Sequence, residues 1–392
     1  MGSSAELSGL IDAVVLKVAA PCNLNCAYCY VYNHEDRSFR DRPRYISDEV
    51  FDATLSVIRR YCERRGRHSM GITFHGGEPT LIGPVRFDRL ATRAAAVLGD
   101  HLAFLSIQTN GTLIDDAWVE VLHRHSVHVG VSLDGPQEIH DSARLTHGGR
   151  GSYRAAIAGL RRLQAGGVEP GVLCVIKPGI SGADVYRHFR RLGISRLDFL
   201  FPDVSHDSKE RFYGHLGPTP VADYLIPVFD AWMEEDDPDV SVRVLWGLVR
   251  QLLGGKGTSD AFGNPRMGYL VVETDGSIEA LDALRVCESG LGKSQLNVLR
   301  NSFDDLRQGL PLVHQVVHEG IPMAAQCRAC PESRICGGGY LPHRYARVNG
   351  FDNPSAWCAD ILKLLSHMRE HLSAVGQSSV FRRTGCRLVR GA

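Results

Sequence analysis

The sequence predicts an α/β fold, an open parallel sheet or a barrel, followed by a second, smaller domain. Three observations predict it. Between Asp12 and Pro202 six short apolar runs alternate with five stretches whose apolar residues recur at helical spacing. Such alternation calls for parallel strands joined by right-handed crossovers. A chain of 392 residues, 44% of them hydrophobic, is also long enough for two or three domains with cores of their own.

The strand candidates are Ala13–Val18, Gly71–Phe74, Leu102–Thr109, Val127–Leu133, Val172–Lys177 and Arg196–Phe201. The helix candidates are Ser47–Arg65, Pro84–Gly99, Asp115–His125, Ser152–Ala165 and Gly182–Leu192. In either architecture chemistry gathers at the carboxyl ends of the strands, and the unusual motifs here follow strands directly. After Pro202 a polar stretch reads as loop to about Gly217, then a helix spans Ala222–Met233 and closes on the acidic run Glu234–Asp239, read as a solvated helix end. YLVVETDGSIEAL from Tyr269 reads as two strands around an Asp-Gly turn. The expected divisions are 1–202 (barrel or sheet), 203–268 (helical bridge), 269–372 (second domain, closing with a helix from Ser355 to about Leu372) and 373–392 (frayed basic tail).

Forty-four Lys and Arg balance 44 Asp and Glu, so no broad cationic field exists for nucleic acid or anionic lipid. Met1–Gly9 lacks the features of a signal peptide, and no apolar run is long enough to span a bilayer. A cytoplasmic protein without nucleic-acid or membrane partners is expected. In a reducing cytosol eleven cysteines are not a disulfide framework, and their grouping matters more than their number.

Cys22, Cys26 and Cys29 follow the first strand at CxxxCxxC spacing. Three thiolates on one loop can hold three irons of a 4Fe–4S cluster and leave the fourth open to bind a small molecule. A zinc knuckle completed by His34 is the alternative. In the second half Cys327, Cys330 and Cys336 stand at CxxCxxxxxC before Gly337–Gly339, with Cys358 beyond. Four thiolates close a cluster, or a structural zinc, with no vacancy. Cys62 and Cys174 fall in helix and strand patterns and read as packing, and Cys386 reads as an idle thiol.

The first motif, with Tyr28 before its last cysteine, resembles that of the radical S-adenosylmethionine enzymes. The resemblance implies a partial (β/α)6 barrel, a 4Fe–4S cluster on Cys22, Cys26 and Cys29, and S-adenosylmethionine chelated at the open iron and cleaved to a 5'-deoxyadenosyl radical. Gly76, Gly77, Glu78 and Pro79 resemble the motif that meets the methionine amino group: glycines expose backbone and a carboxylate accepts from an ammonium. Thr109, Asn110, Ser132 and Asp134 match positions that contact the ribose or position the ligand. Arg144 resembles the arginine that pairs with the methionine carboxylate.

The second motif resembles a SPASM, or twitch-like, auxiliary-cluster domain. It implies one auxiliary 4Fe–4S cluster on Cys327, Cys330, Cys336 and Cys358. Tyr340 stands where that pattern has a further cysteine, and Cys287 is left as a spare thiol or an extra ligand. Phrases such as YVYNHEDRSFRDRP and CRACPESRICGGGYLPHRY look most like the FxsB type, close to the XyeB and GrrM types. That resemblance implies a ribosomally made precursor peptide as substrate and a cyclophane as product, an aromatic ring joined to a β-carbon. Other peptide or protein maturations are the alternative: formylglycine formation on a sulfatase, thioether formation or epimerisation. A noncatalytic zinc or iron–sulfur protein is a third reading. An external one-electron donor such as flavodoxin or ferredoxin and a separate leader-binding protein are the implied partners. Tyr340, His343, Arg344 and Tyr345 are candidates for substrate contact or proton removal.

Overall fold

The structure, a computed structural model, describes residues 11–34, 36–66, 69–257, 259–263 and 267–377. Six parallel strands form its centre: β1 (Ala13–Ala19), β2 (Met70–Gly76), β3 (Leu102–Thr109), β4 (His128–Ser132), β5 (Gly171–Val175) and β6 (Arg196–Leu200). Each matches an expected strand to within one or two residues. Helices α1 (Asp48–Arg64), α2 (Pro84–Leu98), α3 (Asp116–Arg124), α4 (Tyr153–Ala165) and α5 (Gly182–Arg191) supply the crossovers. Their starts are set locally: Ser47 and Asp115 accept the amides of Val50 and Trp118, and Pro84 occupies the first turn of α2.

The register of the sheet separates two faces. Val14 and Leu16, Ile72 and Phe74, Leu105 and Ile107, Val129 and Val131, Val172 and Cys174, and Leu197 and Phe199 lie side by side, all buried in the core with Cys62. The opposite face carries Lys17, His75, Ser106, Gln108, Ser132 and Asp198. Thr73 bonds Ser106 across it at 2.8 Å, and Gln108 donates to Ser132 at 2.9 Å. Strict alternation thus leaves one polar wall, and a site belongs on that wall rather than under the helices.

Four more strands extend this sheet: β7 (Ser241–Val242), β8 (Tyr269–Val272), β9 (Ser277–Glu279) and β10 (Lys293–Asn297), in the order β10-β9-β8-β1-β2-β3-β4-β5-β6-β7. The hairpin expected around Asp275-Gly276 forms, with Gly276 at φ +83°. It does not found a sheet of its own, because β8 pairs parallel with β1 from Ala13 to Leu16.

Three expectations are corrected. The stretch read as loop to Gly217 contains helix α6 (His206–Tyr213), started by a Ser205–Ser208 capping box that a search for apolar periodicity passes over. The helix read as Ala222–Met233 is α7 (Pro220–Glu235); its acidic end is largely exposed, as read, with Arg190 binding Glu235 at 2.8 Å and Asp237 at 3.2 Å. After α8 (Arg243–Leu252), the last helix, α9 (Cys358–Gln377), starts later and ends later than expected. Asp360 in its first turn accepts the amides of Val221 and Ala222 at 2.7 and 3.0 Å, docking it on the start of α7. Cys386 lies outside the described residues.

Candidate active site at the carboxyl ends of the strands

The loop after β1 carries Cys22, Cys26 and Cys29, all half-buried. Its backbone is bound to the segment that holds Arg144: the amide of Asn25 donates to Leu145 and that of Ala27 to Ala143, at 2.7 and 3.0 Å. Burial, then the Glu78 charge, pushes the Cys22 thiol up to about 12. Burial takes Cys26 up to about 11 against the pull of Arg144. Cys22 feels the charges of Cys26 and Cys29, and Cys26 that of Cys29, so the three share one neighbourhood. Protonated thiols so placed become ligands only when a metal centre displaces the protons, since the cation inverts the local acid–base balance. His34, the proposed fourth zinc ligand, packs on Phe212 with ring centres 5.7 Å apart.

Glu78 follows β2 and is 1% exposed. The expectation was that its carboxylate receives the ammonium of a ligand. Within the chain one oxygen accepts from Thr80 N, Thr80 Oγ1 and Thr109 Oγ1 at 3.0, 2.6 and 2.7 Å, and the other from the amide of Asn110 at 2.8 Å. Burial raises its pKa, and these donors partly offset the rise. Glu78 therefore ties the end of β2 to the end of β3. The glycines before it also serve close approach rather than exposure. A Cβ on Gly76 would meet Ala19 O at 2.1 Å, and one on Gly77 would meet Tyr32 Oη at 1.9 Å and Pro21 O at 2.4 Å. Pro79, buried, starts the short turn that follows. Asn110 donates to Asn23 at 2.8 Å and reaches Cys22 Sγ at 3.9 Å, joining β3 to the cysteine loop.

After β4, Asp134 is 3% exposed and accepts from Tyr28 Oη at 2.5 Å, Arg144 Nε at 2.8 Å and the amide of Val175 at 3.1 Å. Arg144 also lies over the Tyr28 ring at 5.4 Å. Burial opposes its charge, but Asp134 outweighs that and holds the guanidinium well above its ordinary range. Arg144, expected to meet a ligand carboxylate, spends its Nε on Asp134. Tyr28, Asp134 and Arg144 form one knot around Cys26, with Ser132 one step back on the polar wall.

In the second group Cys327 and Cys336 lie on two short helical turns, Ala325–Arg328 and Ser333–Cys336, Cys330 on the link between them and Cys358 on the first residue of α9. Cys336 feels the charges of Cys358, Cys327 and Cys330, so the four predicted ligands are brought together. The amide of Gly338 bonds the Cys336 sulfur, which the left-handed Gly337–Gly339 run (φ +62°, +89°, +79°) permits. Cys287 stands apart: it is buried, bonds Pro342 O at 3.5 Å, and carboxylates rather than thiols surround it. Arg344 and Tyr345 hold structure. Arg344 is fully buried and donates to the carbonyls of Ile321, Pro322 and Phe351, while Tyr345 donates to Glu288. Among the described residues, no group of three or more His, Cys, Asp or Glu side chains is arranged for a single metal ion. An iron–sulfur cluster asks for a different arrangement, in which each thiolate meets its own iron.

The structure adds residues that motif reading missed. Lys17, 3% exposed on β1, pairs with Asp282 and lies 3.1 Å from His75 Nδ1, and Tyr30 Oη donates to Asp282 at 3.0 Å. The available signal was a lysine inside the apolar run AVVLKVA, a residue type almost never buried unless paired. Behind it Arg42 and Arg285 share Glu273 and Glu279, a closed set of buried charges that binds the loop before α1 to the β8–β9 hairpin.

No helix among the described residues is long and apolar enough to cross a membrane. The chain is 28% identical over 335 residues to a cysteine-type anaerobic sulfatase-maturating enzyme of Clostridium perfringens, covering 84% of this chain and 88% of that one. It is 25% identical to a serine-type anaerobic sulfatase-maturating enzyme of Bacteroides thetaiotaomicron, with 92% and 89% covered. The solved structure of native anSMEcpe with bound AdoMet and Cp18Cys peptide superposes with a TM-score of 0.77 at 25% identity, covering 93% of this chain and 98% of that one. Residues 17–192 match the Radical SAM superfamily. Those residues hold the three-thiol loop and the ends of β1 to β5, so the match falls on the part of the chain that carries this site, and the superfamily it matches binds a 4Fe–4S cluster and S-adenosylmethionine.

Proposed function

We propose that the chain matures a peptide or protein by opening a radical on one side chain and oxidising it. The observation that carries this is the pairing, in one body, of a three-thiol loop on the strand-end rim with a separate set of four thiols. Cys22, Cys26 and Cys29 would hold a 4Fe–4S cluster, which when bound would supply the electron for cleavage of S-adenosylmethionine. The surrounding residues keep that loop in place: Glu78 and Asn110 from the ends of β2 and β3, and Asp134 with Arg144 from beyond β4. Cys327, Cys330, Cys336 and Cys358 would hold one auxiliary cluster, fully ligated and suited to accept an electron.

The sulfatase-maturating relatives support formylglycine formation on a sulfatase as the outcome. A second reading, a carbon–carbon crosslink to an aromatic ring of a precursor peptide, is favoured by Tyr340 in place of a cysteine and by the isolation of Cys287. Both need an external one-electron donor such as flavodoxin or ferredoxin, and the second also suits a separate leader-binding protein. The reconstituted enzyme, incubated anaerobically with S-adenosylmethionine and either a cysteine peptide of a sulfatase or the precursor peptide encoded beside the gene, separates them. Loss of sulfur with a hydrazide-reactive aldehyde is expected of formylglycine. Loss of two hydrogens without an aldehyde is expected of a crosslink. Stoichiometric zinc with no iron in the reconstituted protein would sink both.

A further inference from the structure

We propose that Asp203 is the base that takes the proton released by the substrate side chain this enzyme oxidises. The proposal rests on the oxidative maturation above: a side chain that loses a hydrogen atom and then an electron also sheds a proton. In the step assigned to Asp203, a bond to hydrogen on the oxidised side chain breaks, its electron pair stays with the substrate, and an O–H bond forms on the carboxylate. No electron leaves the pair in this step.

Position is the first ground. Asp203 lies three residues beyond β6, on the same rim as the cysteine loop, Glu78, Asn110 and Asp134. Its backbone is anchored from the C-terminal half, where Trp357 Nε1 donates to Pro202 O at 3.1 Å and the His343 ring bonds the same carbonyl. His343 is 2% exposed, and its Nε2, without a hydrogen-bond partner, lies 3.9 Å from Asp203 Oδ1. A ring that donates to Pro202 through one nitrogen turns the lone pair of the other toward Asp203. The Asp203 side chain itself keeps 26% of its surface open.

Contrast with the neighbouring acids is the second ground. Asp282 accepts from Lys17 and Tyr30; burial opposes its charge, but Lys17 holds it well below the usual carboxylate range. It is a poor base. Asp260 accepts from Tyr269 Oη at 3.1 Å. Among the described residues no donor reaches Asp203, and burial, then the charges of Asp282 and Asp260, push it up to about 7. Tyr30, Tyr213, Tyr340, Cys287 and His343 are the other titratable groups around it, and none of them is a cation at neutral pH. Two acids driven apart by their surroundings divide into a fixed charge and a proton carrier, and a base poised near neutrality suits proton transfer.

The test is an infrared titration of the anaerobic holoenzyme, read as wild type minus Asp203→Asn. A protonated-carboxyl band that titrates near pH 7 in the wild type is expected to vanish in Asp203→Asn and to titrate at lower pH in Asp260→Asn. With whichever peptide the wild type converts, product per 5'-deoxyadenosine should rise with pH through the same midpoint and fall roughly tenfold or more in Asp203→Asn. A band unchanged in Asp203→Asn, or a product ratio and pH profile unchanged in that variant, overturns the assignment. Conversion of neither peptide counts against the proposed function instead, and the infrared titration still decides whether Asp203 carries the proton.

Discussion

The two cysteine regions use the same ligand and opposite architecture. Around Cys22, Cys26 and Cys29 the supporting side chains come from beyond three strands, Glu78 after β2, Asn110 after β3 and Asp134 with Arg144 after β4, while the amide of Leu24 bonds Cys22 Sγ at 3.4 Å. Around Cys327, Cys330, Cys336 and Cys358 no strand takes part; short turns, left-handed glycines and a helix start hold the thiols, and the amide of Gly338 bonds the Cys336 sulfur. The difference teaches how a chain separates tasks. A site that must admit a ligand is built on a rigid rim with polar side chains at its edge. The second set of thiols, which no strand supports, is held on turns and a helix start instead.

The largest effects should divide the two regions. Cys26→Ala is expected to abolish 5'-deoxyadenosine formation, measured chromatographically, whereas Cys336→Ala should keep substantial cleavage and lose the mature peptide. Equal loss of both activities in both variants would break the division. Next, Lys17→Met leaves Asp282 buried without its cation and should cost about 3–5 kcal/mol in denaturant unfolding. The cost should be the same with or without S-adenosylmethionine if the pair is structural to the sheet. Asp360→Ala removes two bonds to the start of α7 and should cost about 1–2 kcal/mol by the same measurement, while leaving iron content at the first site unchanged. Smallest, Gly338→Ala puts a side chain at φ +89° and should cost about 1 kcal/mol. Iron analysis should then show loss from the second site alone.

Legibility followed range. The six strands and five crossover helices were readable because alternation and helical spacing report burial within a few residues. Both cysteine groups were readable because their ligands lie close in sequence. Helix α6 escaped because capping rather than apolar spacing defines it, and Lys17, Asp203 and Asp282 escaped because they belong to no local motif. Glu78 and Arg144 were found by motif, yet their protein partners were not: the motif marks that a carboxylate and a guanidinium stand there, not which groups of the chain surround them.

By itself the sequence determined the α/β alternation, the two sets of thiols and the balance of charge, since each depends on residue type and short spacing. Tertiary structure alone decided that the C-terminal hairpin continues the sheet beside β1, that Asp134 takes the Nε of Arg144, and that Asp282 is held as a fixed charge while Asp203 is not. The physical reason is that strand order and carboxylate strength are set by neighbours that the local spacing of residues does not report, some of them hundreds of residues away. Lys17 and Asp282 are 265 residues apart and in contact, and only the folded chain brings such groups together.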